Sequence, residues 1–324
     1  MKAVIYERYG SPGELRLTEV PAPKPRKGEV LVKVRAASLN SWDADMLRGD
    51  TWIIRLISGI FSPRYKILGA DIAGDVVGLG PETNFFKVGD EVFGDVAGAG
   101  FGAFAEYVCV PEKLLARKSR ALSFAEAASL PQAGLLALQG LAYYGQPASG
   151  QKILINGAGG GVGTLALPYL KSLGVEVTCV DREPKLTKLR ALGADHLIDF
   201  TKTDYTKMGK TYDKIIDVIA HRSAADYKRS LAPDGIFAMI GGSMGGLLLR
   251  MMAVEPLASK FRKKKLGIMG YRPTRKDLDR LSELCEQKKM IPIIDRAFPL
   301  DKTKEAFEHF VSGNFFGKII IEIA

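Results

Sequence analysis

Polar and apolar positions alternate through much of the first 110 residues. The run Glu29-Val-Leu-Val-Lys-Val-Arg-Ala37 shows it most clearly and predicts a half-buried antiparallel strand. Residues 1–6, the glycine-punctuated run 68–80, the turn-and-strand run 86–94 and residues 102–110 predict further strands. Residues 18–26 form a proline-rich loop. With so much β pattern and so little of helical length, a small barrel-like module is expected. Residues 52–61 are an exception, apolar at Ile53, Ile54, Leu56, Ile57, Ile60 and Phe61. They predict either a short helix over the mouth of a site or, more simply, a piece of core.

The period changes at residues 121–147, which read as helical. Ile153-Leu-Ile155 is then a short apolar run of the kind a buried parallel strand shows. Glycines follow at once in Gly157-Ala-Gly-Gly-Gly-Val-Gly163. Leu165, Ala166, Leu167, Tyr169, Leu170 and Leu173 repeat at helical spacing, and Gly174 stops that helix. Residues 175–180 predict a second strand. Strands at 212–219, 235–240 and 265–270 continue the pattern, with helices at 223–231 and 277–288. Residues 295–300 lead back towards the β module, followed by a helix at 302–311 and a last strand from Gly317. No internal repeat is apparent.

The strand, glycine turn, helix and strand of residues 151–181 have the order of a dinucleotide-binding half. Glycines let a turn close tightly and approach a pyrophosphate. Unpaired N–H groups at the next helix's N-terminus hold the anion. On that reasoning Gly157, Gly160, Gly161, Val162 and Gly163 are the pyrophosphate residues. Asp181 ends the second strand, where an acid can accept both ribose hydroxyls. Gly241 and Gly242 end a later strand and are expected near the nicotinamide.

Composition narrows the class. The chain has 324 residues, 47% apolar and 25% charged, as a globular protein of one or two domains does. No apolar run reaches the length of a membrane span. The first residues carry an early acid and no long apolar stretch, so they read as a strand, not a targeting segment. Cys109, Cys179 and Cys285 lie far apart, which suits a reducing compartment, and a cytoplasmic protein is expected. The formal net charge is +10, partly concentrated in Lys260-Phe-Arg-Lys-Lys-Lys265. Aromatics are not interleaved with that run as a base-stacking platform requires, so nucleic-acid binding and membrane binding are set aside as main functions.

Several stretches resemble one family. Leu68-Gly-Ala-Asp-Ile-Ala-Gly, Val88-Gly-Asp-Glu-Val-Phe-Gly, Gly102-Ala-Phe-Ala-Glu-Tyr, Leu192-Gly-Ala-Asp-His-Leu-Ile-Asp and Gly317-Lys-Ile-Ile-Ile are similar in order and spacing to the medium-chain dehydrogenase/reductases. The chain looks most like their zinc-free branch, the quinone oxidoreductases or zeta-crystallin-like enzymes. The resemblance spans essentially the whole length. It implies an α/β protein with a GroES-like catalytic domain at 1–120 and 273–324, and a Rossmann domain at 121–272. It also implies a homodimer joined near residues 265–271.

In zinc-dependent relatives the catalytic ligands fall where this chain has Asn40, Ala70 and Gln132, and none of these is Cys or His. Only His196, His221 and His309 occur, so no metal is expected. Without a Lewis acid to form an alkoxide, alcohol oxidation is disfavoured. The resemblance implies hydride transfer from NADH or NADPH to a quinone or an α,β-unsaturated carbonyl. Asn40 is the expected donor to the oxygen that gathers charge, since its amide carries two N–H groups. Asp43 would hold the loop or cap the next helix, Arg48 would orient the acceptor, and Gln132 would line its pocket. Water is the default proton donor. Lys318 matches a position that contacts cofactor phosphates. Asp181 gives a slight lean to NADH, while Arg182 beside it could attract a 2′-phosphate. Three features depart from the family: Pro168 stands where it has Gln, Phe200 where NADPH-preferring members often have Tyr, and Asn40-Ser41 where Asn-Pro is common. Two other functions fit the same residues, a dedicated enoyl or alkenal reductase of one pathway and a cofactor-binding regulator that binds RNA.

Overall fold

The alternating pattern of residues 29–39 becomes β3 (Glu29–Leu39), the longest strand in the protein's β-rich unit. A computed structural model describes residues 1–241 and 264–324. The chain divides into two compact units, the first made of Met1–Leu135, Pro273–Lys288 and Pro292–Ala324, the second of Leu136–Arg272 and Lys289–Ile291.

In the first unit β1 (Lys2–Ile5) pairs antiparallel with β2 (Arg16–Glu19). The main sheet contains β3, β4 (Asp71–Leu79), β5 (Glu91–Asp95), β6 (Tyr107–Pro111) and β7 (Leu115–Arg117). β3 pairs with β4 and, along its first half, with β6; β5 joins β4 to β7. Val30, Val32, Val34, Ile72 and Val92 face one core, as the period of two requires. The connection from β3 to β4 carries α1 (Ser41–Arg48) and α2 (Trp52–Ser58). After β7 come α3 (Phe124–Ala128) and α4 (Pro131–Ala142).

The second unit is a parallel sheet. Its strands are β8 (Lys152–Asn156), β9 (Glu176–Asp181), β10 (His196–Asp199), β11 (Tyr212–Asp217), β12 (Leu231–Met239) and β13 (Lys265–Ile268). They lie in the order β10-β9-β8-β11-β12-β13, with every pairing parallel. The order reverses between β8 and β11, where doubly wound sheets bind ligands at the carboxyl ends of their strands. Between the strands run α5 (Gly161–Ser172), α6 (Glu183–Ala191) and α7 (Ala224–Arg229). α5 continues through Pro168.

The chain then returns to the first unit. α8 (Arg275–Glu286), β14 (Ile294–Pro299), α9 (Thr303–Ser312) and β15 (Lys318–Glu322) complete it. β15 pairs antiparallel with the far end of β3, bringing Ile319 opposite Leu39. The protein is thus a mixed α/β fold with a β-rich unit and a Rossmann-like parallel sheet. Among the described residues no helix is long and apolar enough to cross a membrane.

One expectation is corrected. Residues 52–61 do form a helix and turn, but most of its apolar side chains are not core. Trp52 and Leu56 are each 66% exposed and Phe61 is 95% exposed, while Ile54 alone of the apolar set is buried.

Candidate functional site

Two constellations gather the residues singled out from the sequence, one in each unit. In the first, four backbone segments end at the same place. β3 ends at Leu39, β4 starts at Asp71, β5 ends at Asp95 and β15 starts at Lys318. The registers fix this: Ser38 lies opposite both Asp71 and Ile320, and Asp71 lies opposite Asp95. Asn40 follows β3 as the N-cap of α1.

Asp71 is the centre. Its carboxylate is fully buried and accepts from Ser38 Oγ at 2.9 Å, Asn40 Nδ2 at 3.0 Å and the backbone N–H of Gln132 at 2.9 Å. Lys318 Nζ lies 3.4 Å from the same carboxylate and donates to Asn40 Oδ1. Burial lowers the pKa of the Lys318 ammonium, while Asp71 and Asp43 favour its charge. A buried lone charge is costly, so each partner requires the other.

Asp43 closes the capping box of α1. Its Oδ2 accepts the Asn40 N–H at 2.9 Å, and its Oδ1 accepts the Gly69 N–H at 2.9 Å. Burial raises its pKa to about 7 against the pull of those two donors. Arg48 stands apart, paired with Asp45 and, at 3.3 Å, with Asp50 near the surface. Gln132 is nearly buried and enters the cluster through its backbone N–H at the start of α4.

The amide of Asn40 is therefore engaged. Its second N–H reaches only the Ser38 carbonyl, at 3.4 Å, which is long for a hydrogen bond. Lys318, expected on cofactor phosphates, has its ammonium turned into the cluster. Asp71 carries no local signal of its role: nothing in the linear sequence says that β15 will bring a lysine beside it.

The second constellation lies at the carboxyl ends of β8 and β9. Gly157 has φ +82°, a left-handed conformation that favours glycine. At Gly163 a Cβ would overlap the Ala158 backbone, so glycine lets α5 lie against the turn. The first helical hydrogen bond runs from Thr164 N to Gly160 O at 3.0 Å. The N–H groups of Gly161, Val162 and Gly163 precede it and form the first turn of a helix that Gly160 caps without a side chain. This fits a pyrophosphate.

Asp181 ends β9, nearly buried. It accepts from Gly159 N at 2.7 Å and Arg182 N at 2.8 Å, and pairs with Lys185 at 3.8 Å. Arg182 itself is the N-cap of α6. Gly159 and Lys185 were missed from sequence; the second stands one helical turn after Asp181, a spacing that could have flagged it. Gly241 follows β12 and accepts the Ala220 N–H at 3.1 Å. Gly242 lies outside the described residues, as do residues 260–263 of the basic run.

The set Asn40, Ala70 and Gln132 offers no thiolate or imidazole and does not fit a zinc ion. Among the described residues no three His, Cys, Asp or Glu side chains are grouped to hold a metal.

Comparison with known proteins places this geometry. Residues 26–120 match the alcohol dehydrogenase GroES-like domain, and residues 192–321 match the zinc-binding dehydrogenase domain. The chain is 33% identical to 2-methylene-furan-3-one reductase of Solanum lycopersicum, covering 99% of this chain and 79% of that one. It belongs to the medium-chain dehydrogenase/reductase superfamily, in the quinone oxidoreductase-like branch. Within that superfamily it is 31% identical to the chloroplastic NADPH-dependent alkenal/one oxidoreductase of Arabidopsis thaliana, covering 99% of this chain and 79% of that one. The quinone oxidoreductase from Coxiella burnetii has the same fold, with a TM-score of 0.87 at 29% identity over 100% of this chain and 99% of that one.

Proposed function

We propose that this medium-chain dehydrogenase/reductase is an NAD(P)H-dependent reductase of quinones or α,β-unsaturated carbonyls that works without zinc. The observation carrying it is the turn of residues 157–163 below the first turn of α5, with Asp181 at the end of β9. Relatives named for quinone, alkenal and furanone reduction support the acceptor class.

Bound NAD(P)H supplies the hydride. The chain's own residues then have two tasks. The first-turn N–H groups of α5 hold the pyrophosphate. Asn40 donates to the acceptor oxygen as charge builds there, using the N–H now on the long bond to the Ser38 carbonyl. Asp71 and Lys318 hold that amide in orientation. Water remains the proposed proton donor. Arg48, paired near the surface, is kept only as an outer orienting residue.

For the cofactor, Asp181 alone favours NADH. Lys185 beside it and Arg182 next to it supply two cations, and the alkenal/one oxidoreductase is NADPH-dependent by name. We therefore place NADPH ahead of NADH. A homodimer is proposed through β13, the outer strand of the parallel sheet among the described residues, whose outer edge would pair with a second copy. Three free cysteines suit a reducing compartment such as the cytoplasm.

The test is loss of reduced-nicotinamide absorbance on metal-analysed protein. NADH and NADPH are offered separately against an ortho-quinone, a para-quinone and a short alkenal. Metal-free turnover, faster with NADPH, is expected. Cofactor binding without turnover of any acceptor would refute the reductase, and faster turnover with NADH would return the ribose pocket to Asp181 alone.

A further inference from the structure

The exposed apolar face of α2 has no task in the chemistry above. At 100° per residue, Trp52, Ile53, Leu56 and Ile57 fall within one arc of the helix. Ile54 and Ser58 are buried on the opposite side. The chain then turns at Gly59 and adds Ile60 and Phe61, 58% and 95% exposed. The face is held firmly from beneath. Tyr9 Oη lies 2.7 Å from Ser58 Oγ and donates to the Gly59 carbonyl at 2.5 Å; Arg55 Nε donates to the Gly49 carbonyl at 2.7 Å and its guanidinium covers the Tyr9 ring. Ile53 is half-buried, and the other five large apolar side chains are presented outward on a fixed platform, which a water-soluble surface rarely does without a partner.

Charge says which partner. Residues 48–70 contain Arg48, Arg55, Arg64 and Lys66 against one acid, Asp50, which Arg48 pairs, and the whole chain carries +10. A two-fold pairing of this face with itself would bring Arg55, Arg64 and Lys66 together unneutralised. An anionic bilayer would neutralise them. Its headgroup layer also suits a tryptophan and a ring of aliphatic side chains entering by only a few ångströms. We propose that α2 and the turn after it dock this protein on anionic lipid membranes, with Trp52, Leu56, Ile57, Ile60 and Phe61 entering the headgroup region and Arg64 and Lys66 meeting lipid phosphates. This is attachment at the surface, which requires no membrane-spanning segment.

The experiment is co-sedimentation of the full-length protein with vesicles of phosphatidylcholine alone or phosphatidylcholine with phosphatidylglycerol. Binding to the anionic vesicles is expected, weaker to the neutral ones and weakened by salt. Trp52 emission should shift to the blue on binding. Leu56→Ser with Phe61→Ser should lower the bound fraction by about tenfold or more. The single change Phe61→Ser should lower it less and leave the thermal midpoint in place, because that side chain packs on almost nothing. Absence of binding to anionic vesicles would overturn the proposal. So would binding that survives both substitutions, or a dimer by light scattering that the substitutions dissociate in a protein that ignores vesicles.

Discussion

Asp71 is fully buried at the start of β4, and its charge is balanced by one lysine delivered from the last strand. Removing either partner takes from the other, still buried, its nearest opposite charge. Asp71→Asn should therefore destabilise the first unit by about 3 kcal/mol or more. Adding Lys318→Met should lose less than the sum of the single changes, measured by urea unfolding of all three variants. Asp43 makes a second prediction. Its folded pKa of about 7 stands above its unfolded value, so the folded state binds the extra proton between about pH 4 and 7. Its contribution is fully present below that window and declines as pH rises through it, by at most about 1.4 kcal/mol per pH unit. Asp43→Asn should flatten that slope in thermal unfolding scans across pH 4–7. At this scale the sequence offered Asn40 as a hydrogen-bond donor and Asp43 as a residue that holds the loop or caps a helix, and did not show Asn40 itself as the N-cap of α1. It could not show that the Asn40 amide is shared among Ser38, Asp71 and Lys318, because Asp71 lies 31 positions and Lys318 278 positions away along the chain.

The glycine turn was readable as an element because its requirement is local: a left-handed residue, a close approach and a helix start all lie within seven positions. Gly163→Val should force α5 away from the Ala158 backbone and weaken NADPH binding by about tenfold or more, read by quenching of nicotinamide fluorescence. The strands of both units were largely visible in the periodicity. α2 was misjudged for a physical reason. An apolar arc fixes which side chains share a face, but not whether that face turns inward, and here Ile54 and Ser58 take the inner side. Neither α6 nor β10 was legible as an element, since Glu183–Ala191 is mostly polar with a thin apolar stripe and β10 has only four residues.

For the whole molecule, cofactor binding to the folded state alone should raise stability by mass action. NADPH at a hundred times its dissociation constant should add about 2.7 kcal/mol, seen as a higher thermal midpoint, with NADH less effective at equal concentration. The change of period near residue 121 marked where helices begin, whereas the first compact unit runs on to Leu135. Which late segments rejoin the first unit rested on the resemblance, because a run such as residues 318–322 carries no mark of the strand it will pair with.

That late return of β15 has a consequence for synthesis on the ribosome. The parallel sheet is built from an almost continuous stretch and has every strand to hand once residue 268 has emerged. The first unit waits for Lys318. Until then the nascent chain holds Asp71 and Asp43 with no ammonium between them, so the segment made first is the one that reaches its native state last.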